Sequence, residues 1–307
     1  MERHKKLFKK TNSIMNNYSF VFILFKKIQK LLRGSGLGKH KFFREVRNFF
    51  YEIVRPKETE ILIEVKNIKM YVDPSYSGVV PELLRDDTYE ECETTLLQEI
   101  LKDGDIFVDI GANIGYYVLF AAKKIGNNGK VFAFEPEPRN FYFLKKNVEI
   151  NNLQNVILEN KAISNQEGNL KLFIDKKNTG GHHLYDINDS SDFVNVETIV
   201  LDRYFENIST KIDLIKIDIE GYEPYVFKGM KTQIKKNSNL KILLEFCPSM
   251  LKQAETEPTD FLNEIKNFGF NLNIINEQIS KKLEVADINS IMNYCKKFGS
   301  VNLFCVK

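Results

Sequence analysis

The stretch VDIGANIG, residues 108–115, constrains this chain of 307 residues more than any other. The apolar run IFVDI suits a β-strand covered on both faces, and it carries Asp109 close to a turn that contains Gly111 and Gly115. From Tyr116 to Lys124 the sequence becomes compatible with a helix. Glycines at those two points let the backbone bend sharply and approach a ligand with no Cβ in the way. The helix that follows is expected to offer its unpaired N–H groups to that ligand.

Twenty positions after Gly115, KVFAFEPEP supplies a second apolar strand that closes on Glu135 and Pro136. An acid at that point accepts both hydroxyls of a ribose, which is the arrangement of a doubly wound sheet with its ligand across the carboxyl ends of neighbouring strands. A dinucleotide site would use the same acid, but its G-x-G-x-x-G fingerprint needs a further glycine for the pyrophosphate. Gly111 and Gly115 give only G-x-x-x-G. A cofactor with a ribose and no phosphates, S-adenosylmethionine, fits that spacing better than a nicotinamide dinucleotide.

The net charge of +3 hides an asymmetry. Residues 1–57 hold 15 Lys and Arg against 3 Asp and Glu, an excess of +12, so the remainder of the chain carries −9. This divides the chain into a basic helical extension, 1–57, and a main domain, 58–307. Within the extension Ile14, Tyr18, Val21, Phe25, Ile28 and Leu32 recur at steps of four and three, with Lys26, Lys27, Lys30 and Arg33 off the stripe. That pattern predicts a cationic amphipathic helix ending near Gly34, with a second helix over 41–54 that stops before Pro56. Two readings stand for residues 14–33: peripheral contact with a membrane or partner, and packing on the protein itself. The run Phe20 to Phe25 is too short to span a bilayer, and no small-residue cleavage site follows it. Cysteines 92, 247, 295 and 305 have neither metal nor redox spacing, so a reducing cytoplasm, with or without membrane contact, is the expected location and no metal is expected.

Beyond the extension, residues 60–72 alternate as a β-hairpin and 88–101 read as a helix. Strands are then expected at 106–110, 131–135, 156–160, 214–218 and 242–246, with helices at 116–124, 139–151, 224–235 and 259–267 between them. Alternation of this kind signals a parallel sheet with right-handed crossovers. Two late strands, 270–275 and 301–306, are placed to close it as an antiparallel pair. An insertion at 168–200 reads as strand, the loop NTGGHH, and strand, a hairpin set over the carboxyl-end crevice.

LIKIDIEGYE places Lys216, Asp218 and Glu220 on one face of a strand and Ile215, Ile217 and Ile219 on the other. Three ionisable groups in a central strand are costly unless paired or employed, whereas on an edge strand they need no explanation. The position of the strand between αβ units favours a central place, with Asp218 and Glu220 at its carboxyl end. In LLEFCP, Glu245 faces the same cleft or pairs with Lys216, and Cys247 reads as a quiet buried thiol. His182 and His183 stand in the glycine-bearing loop, where an imidazole serves as a general base or simply as a polar loop residue. Asp109 is placed to hold a ligand ammonium, and Asn113 to add amide contacts or simply to shape the turn.

Taken in order, VDIGANIGYY, AFEPEPRNF, VETIVLD, KIDIEGYE and LLEFCP resemble the FkbM family of S-adenosylmethionine-dependent methyltransferases, from about Tyr89 to Val306. The resemblance implies an α/β fold of the class I methyltransferase type, a Rossmann-like seven-stranded mostly parallel sheet with helices on both faces. It implies methylation mainly of oxygen, often on a sugar or a glycosylated natural product. The family's acidic glycine turn falls on Asp109, Gly111, Asn113 and Gly115, its ribose-binding acid on Glu135, and its Lys-x-Asp-x-Glu-Gly run on Lys216, Asp218, Glu220 and Gly221. YEECETTLL is similar to a family segment that implies an approach of Tyr89 or Glu90 to the methionine end of the cofactor. Residues 1–57 have no counterpart among these motifs.

The expected division of labour has Glu90, Asp109, Gly111, Asn113, Gly115, Glu135 and Asp218 holding the donor, and Asp218, Glu220 or His182 handling the acceptor hydroxyl. The expected partner is a small-molecule or glycan acceptor. A nucleic-acid methyltransferase gripping phosphate with the basic extension is the first rival, weakened because IEGY is not the Asn/Asp-Pro-Pro-aromatic turn of base amine methylation. A non-catalytic cofactor-binding protein is the second. Acceptor identity and oligomeric state have no diagnostic spacing in this sequence.

Overall fold

The computed structural model describes residues 20–32, 41–175, 181–185, 192–208, 210–276 and 282–307. The chain divides into two compact units, Met1–Tyr89 and Glu90–Lys307.

The first unit contains helices α1 (Phe20–Leu32) and α2 (Lys41–Val54), the hairpin strands β1 (Ile61–Val65) and β2 (Ile68–Val72), and helix α3 (Val79–Asp86). Lys66 and Asn67 both take positive φ, 47° and 67°, as a two-residue hairpin turn requires. Alternation along the strands buries Ile61, Ile63, Val65, Ile68, Met70 and Val72. The helices meet through Phe22 and Tyr51, both buried, with ring centroids 6.4 Å apart. Phe22 lies off the expected stripe, and two members of that stripe, Val21 and Ile28, are exposed. The stripe therefore does not mark the packed face of α1. Its positions Ile14 and Tyr18, with Arg33 beside it, lie outside the described residues. Among the described residues no helix is long and apolar enough to cross a membrane.

In the second unit α4 (Glu91–Ile100) precedes β3 (Ile106–Ile110), α5 (Tyr116–Ile125), β4 (Lys130–Phe134), α6 (Pro138–Ile150) and β5 (Val156–Glu159). Strands β6 (Ala162–Ser164), β7 (Gly168–Phe173) and β8 (Phe193–Val200) and the short α7 (Leu201–Tyr204) form the insertion. The chain then runs through β9 (Leu214–Ile217), α8 (Glu223–Gly229), α9 (Lys231–Lys236), β10 (Lys241–Phe246), α10 (Pro248–Gln253), α11 (Pro258–Asn267), β11 (Asn271–Asn276), β12 (Lys282–Val285), α12 (Ile288–Phe298) and β13 (Val301–Val306). The main sheet has the order β12-β11-β13-β10-β9-β3-β4-β5. The five strands from β10 to β5 are parallel, and β13 is antiparallel to both β10 and β11.

These are the seven expected strands with an eighth, β12, added at the edge beside β11. The hairpin of the insertion forms as expected, but with β6 it builds a separate three-stranded sheet. The helix expected over 224–235 is two helices, broken at Met230. From β3 the chain winds outward through β4 to β5, then returns to β9 on the other side. The carboxyl end of β3 is therefore the switch point where such sheets open a crevice. All five residues of β3 and all four of β9 are buried, so β9 is a central strand and the edge-strand reading of its charges falls.

Candidate functional site

Three turns converge at the switch point: the glycine turn after β3, the Glu135 corner after β4, and the Asp218–Gly221 turn after β9. Each is tied down by hydrogen bonds between backbone N–H groups and acceptors in the protein. Gly111 and Ala112 both donate to the carbonyl of Phe134, each at 3.0 Å. Asn113 donates to Glu135 Oε2 at 2.7 Å, and Ile114 to its neighbour's Oδ1 on Asn113 at 2.7 Å. Four successive amides of the turn, from Gly111 to Ile114, are thus engaged within the protein. Asn113 shapes the turn, at φ 50°, and Gly115 caps α5 at φ 92°.

Gly111 is required twice over. Its φ is +85°, and a Cβ there would stand 2.0 Å from the carbonyl oxygen of Asp218. That contact brings the first and third turns together without a side chain between them. Across the corner, the other carboxylate oxygen of Glu135 accepts from the Glu137 amide at 2.9 Å. Burial foremost pushes the Glu135 carboxyl up to about 8, against the lowering effect of the two amides.

These turns border a cleft of about 550 Å³, counted out to its open mouth. Ile110, Phe134, Ile163, Leu172, Leu184 and Ile219 give it apolar walls. Gly111, Asn113, Glu135, Lys161, His182 and Asp218 add polar groups. The insertion thus forms part of the wall, as its position in the sequence implied. Its loop also clamps the third turn: Tyr185 Oη donates to the Glu220 carbonyl at 2.7 Å. Glu223 fixes that turn from the other side, its Oε1 accepting from the amides of Gly221 at 3.0 Å and Ile219 at 3.4 Å.

Behind the cleft lies a buried charge cluster around Lys216. Its Nζ donates to Asp218 Oδ2 at 2.7 Å and lies 4.6 Å from the ring centre of Tyr117. Burial alone would lower the ammonium, but the charges of Asp218, Glu93, Asp109 and Glu90 hold it above its ordinary range. Burial would raise Asp218, yet the Lys216 charge and hydrogen bonds from Lys216 and Glu245 keep it below the usual carboxylate range. Glu245 partners Asp218 rather than Lys216. Burial first, then the charge of Asp218, pushes the Glu245 carboxyl well above the ordinary range.

Glu90 begins α4 at φ 39° and accepts from Tyr117 Oη at 2.6 Å. Asn302 on β13 bridges Glu93 at 2.5 Å and Glu90 at 3.4 Å. Asp109 pairs with Lys216 in the strand register but makes no hydrogen bond: both of its carboxylate oxygens are buried and without a partner among the described residues. Burial pushes this carboxyl up to about 7. Asp109 is not among the side chains lining the cleft; it stands behind Gly111, on the Lys216 side of the sheet.

The structure brings Glu90, Asp109 and Asp218 into one cluster and sets Gly111, Asn113 and Glu135 at the cleft. Two positions differ from the sequence reading. The strand ends at Ile217, so Glu220 does not share its face; it lies in the turn that follows, at φ 55°, half-buried, its carboxyl raised to about 8 by burial and then by Asp218. His182 lines the cleft with Nδ1 accepting from the Asp175 amide at 3.2 Å, and Glu137 and Asp175 are the acids whose charges it feels. Burial lowers its imidazole, leaving it neutral near pH 7. Cys247 is partly exposed rather than buried, its Sγ 3.2 Å from Ser249 Oγ. Among the described residues no three His, Cys, Asp or Glu side chains are grouped to hold a metal ion.

Sequence reasoning missed Glu93, Tyr117, Tyr185 and Asn302. Glu93 and Tyr117 stand inside motifs already singled out, YEECETT and IGYY, where their burial is the only missing fact. For Asn302, in the last strand, no local signal exists.

The description of the methyltransferase FkbM domain matches residues 109–272, just over half of the chain. The hexuronic acid methyltransferase AglP of Haloferax volcanii is 29% identical over 153 residues, 50% of this chain and 61% of that protein. Methyltransferase 1 of Beauveria bassiana is 23% identical over 148 residues, 42% of this chain and 59% of that protein. The chain thus spans about three fifths of the length of the curated relatives it matches. Among solved structures, a putative rRNA-methylase from Clostridium thermocellum overlays with a TM-score of 0.43 at 12% identity, covering 70% of this chain and 92% of that one. The glycine turn, the Glu135 corner and the Lys216–Asp218 strand all fall inside the matched stretch, and the chain belongs to the FkbM family of S-adenosylmethionine-dependent methyltransferases.

Proposed function

We propose that this protein is an enzyme that transfers a methyl group from S-adenosylmethionine to a hydroxyl oxygen of a sugar, a glycan or a glycosylated metabolite. The observation that carries the reading is the pairing of a ribose-competent acid, Glu135, with an orphaned buried carboxylate, Asp109, on either side of the Gly111 turn. Buried polar groups are nearly always partnered, so two free carboxylate oxygens fit a site made for a cationic ligand group. The apolar walls suit the flat face of an adenine, and the carboxylate lone pairs of Glu135 not taken by amides suit ribose hydroxyls.

When bound, the sulfonium supplies a methyl group already activated for transfer, so the chain has to align the acceptor and take its proton. Asp218, kept ionised by Lys216, orients the acceptor hydroxyl at the mouth of β9. Glu220, held near 8 and anchored through its carbonyl by Tyr185, receives the proton. His182, neutral and close to Glu137, belongs to the donor-holding end. Asp109 and Glu90, behind the Gly111 turn, would hold the ammonium of the methionine moiety through water.

A sugar acceptor draws support from the hexuronic acid methyltransferase among the relatives. The test is incubation of the full chain with S-adenosylmethionine and a panel of neutral and uronic-acid-bearing glycans, read by mass spectrometry before and after mild alkali. A methyl ether survives alkali and a methyl ester does not. A product that loses its methyl in alkali, or methylation of RNA in place of every glycan, would refute the hydroxyl acceptor.

A further inference from the structure

We propose that the first unit docks on an anionic lipid surface through the outward faces of α1 and α2. Of the thirteen exposed large apolar side chains among the described residues, eight stand on these two helices. On α1 Phe20, Val21, Leu24 and Ile28 are 77, 56, 47 and 48% exposed. At about 100° per residue they fall within one quadrant or so of the helix, turned away from the buried Phe22. On α2 Phe49, Phe50 and Ile53 are 65, 51 and 57% exposed, while Tyr51 between them is buried. Each helix therefore spends one aromatic ring on the packing between them and leaves a cluster of large apolar groups in solvent. A patch of that kind on a folded unit marks a surface of interaction.

Charge decides what it meets. Residues 1–57 carry an excess of +12 and the rest of the chain −9, so the excess of positive charge belongs to the stretch of sequence that contains these helices. A second copy of this chain would bring one +12 region against another. A nucleic acid would answer the charge and stack on phenylalanine, but Val21, Leu24, Ile28 and Ile53 would gain nothing from phosphate. An anionic bilayer answers both features, taking the apolar side chains below its headgroups and the lysines among its phosphates. Lys27, exposed beside Leu24 and Ile28, is placed at that boundary.

The test is co-sedimentation of the full chain with vesicles of phosphatidylcholine alone and of phosphatidylcholine mixed with phosphatidylglycerol. Binding to the mixed vesicles is expected to exceed binding to the neutral ones by at least about tenfold and to weaken with salt. The exposed pairs Leu24→Asp with Ile28→Asp, and Phe50→Asp with Ile53→Asp, should each reduce it by about tenfold or more at an unchanged thermal midpoint. Full binding by both acidic variants would overturn the proposal, as would equal binding to neutral vesicles. So would light scattering that shows the wild type as a dimer and the acidic variants as monomers. A variant with an altered thermal midpoint is replaced by Leu24→Ser with Ile28→Ser, judged by the same criteria.

Discussion

The ammonium of Lys216 lies 2.7 Å from the carboxylate of Asp218, two residues along the same chain, with the lysine buried and the aspartate opening to the cleft. The pair joins the interior of the sheet to its carboxyl edge. Around it the acids Asp109, Glu90 and Glu93 have this lysine as the cation whose charge is felt at all of them. Replacing it with a shape-similar apolar group, Lys216→Met, leaves buried carboxyls with no countercharge. The expected loss is about 3–5 kcal/mol of unfolding free energy, measured by denaturant titration. A loss under about 1 kcal/mol would mean that these acids are neutral in the folded chain and that the cluster is not held by charge.

The close approach of Gly111 to Asp218 separates steric from conformational requirement. Gly269 also has a positive φ, +90°, but nothing lies within 4 Å of the Cβ it lacks. Gly269→Ala therefore measures the backbone penalty alone, about 1 kcal/mol. Gly111→Ala adds a clash with a main-chain oxygen that neither central strand can relieve. It should destabilise by at least about 2 kcal/mol more and abolish donor binding. Equal thermal midpoints for the two variants would show that the turn gives way.

Much of this site is legible in the sequence because it is local. An apolar run ending in a glycine turn, an acid after the next strand, and a lysine alternating with isoleucine each report their own surroundings within ten residues. Lys216 is read correctly as central because its strand sits between αβ units. Glu220 is misplaced because alternation does not run the three residues past Ile217 that reach it, and Gly221 beside it already signals a turn. Strand β12 escapes because KLEV is short and half charged, whereas helix α12 is legible in principle, with Ile288, Ile291, Met292 and Cys295 at helical spacing; the Asn302–Glu93 contact escapes because it joins residues 209 apart. No pattern within either segment encodes that meeting.

Glu135 has two tasks that substitution can part. Its carboxylate closes the glycine turn through the Asn113 and Glu137 amides, and its remaining lone pairs face the cleft. Glu135→Gln keeps one acceptor and Glu135→Ala none. Calorimetric affinity for S-adenosylhomocysteine should fall by about tenfold in the first, or about 1.4 kcal/mol, and further in the second. Unchanged affinity in the alanine variant would remove Glu135 from the donor site.

Glu220 is assigned the acceptor's proton, so its loss should appear in turnover and not in donor affinity. Glu220→Gln preserves the shape of the turn and the carbonyl held by Tyr185. The expected result is a fall in kcat of about 100-fold or more with the affinity for S-adenosylhomocysteine unchanged. The parallel variant His182→Gln should instead weaken donor binding and leave most of kcat. The reverse pattern, with turnover surviving at Glu220→Gln and lost at His182→Gln, would make the imidazole the base.

Four carboxyls, Asp109, Glu135, Glu220 and Glu223, are raised to about 7, 8, 8 and 7, burial being the leading cause at each. In the unfolded chain such groups have released their protons by about pH 5. Between that pH and about 8 the folded chain therefore holds more protons than the unfolded one, and the linkage slope is negative. Stability should fall as pH rises through this window and level off above it. Asp218 contributes the opposite sign, since its depressed carboxyl adds stability that is lost only as pH drops below its unfolded value, outside the window. The thermal midpoint of the ligand-free protein is thus expected to be higher at about pH 5.5 than at about pH 8.5. Asp109→Asn should flatten the curve below about pH 7, by up to about 1.4 kcal/mol per pH unit. Donor affinity should run the other way, rising with pH up to about 7 as Asp109 ionises to meet an ammonium, and this rise should vanish in Asp109→Asn. A midpoint that climbs across the window, or an affinity indifferent to pH in the wild type, would take Asp109 out of the donor site.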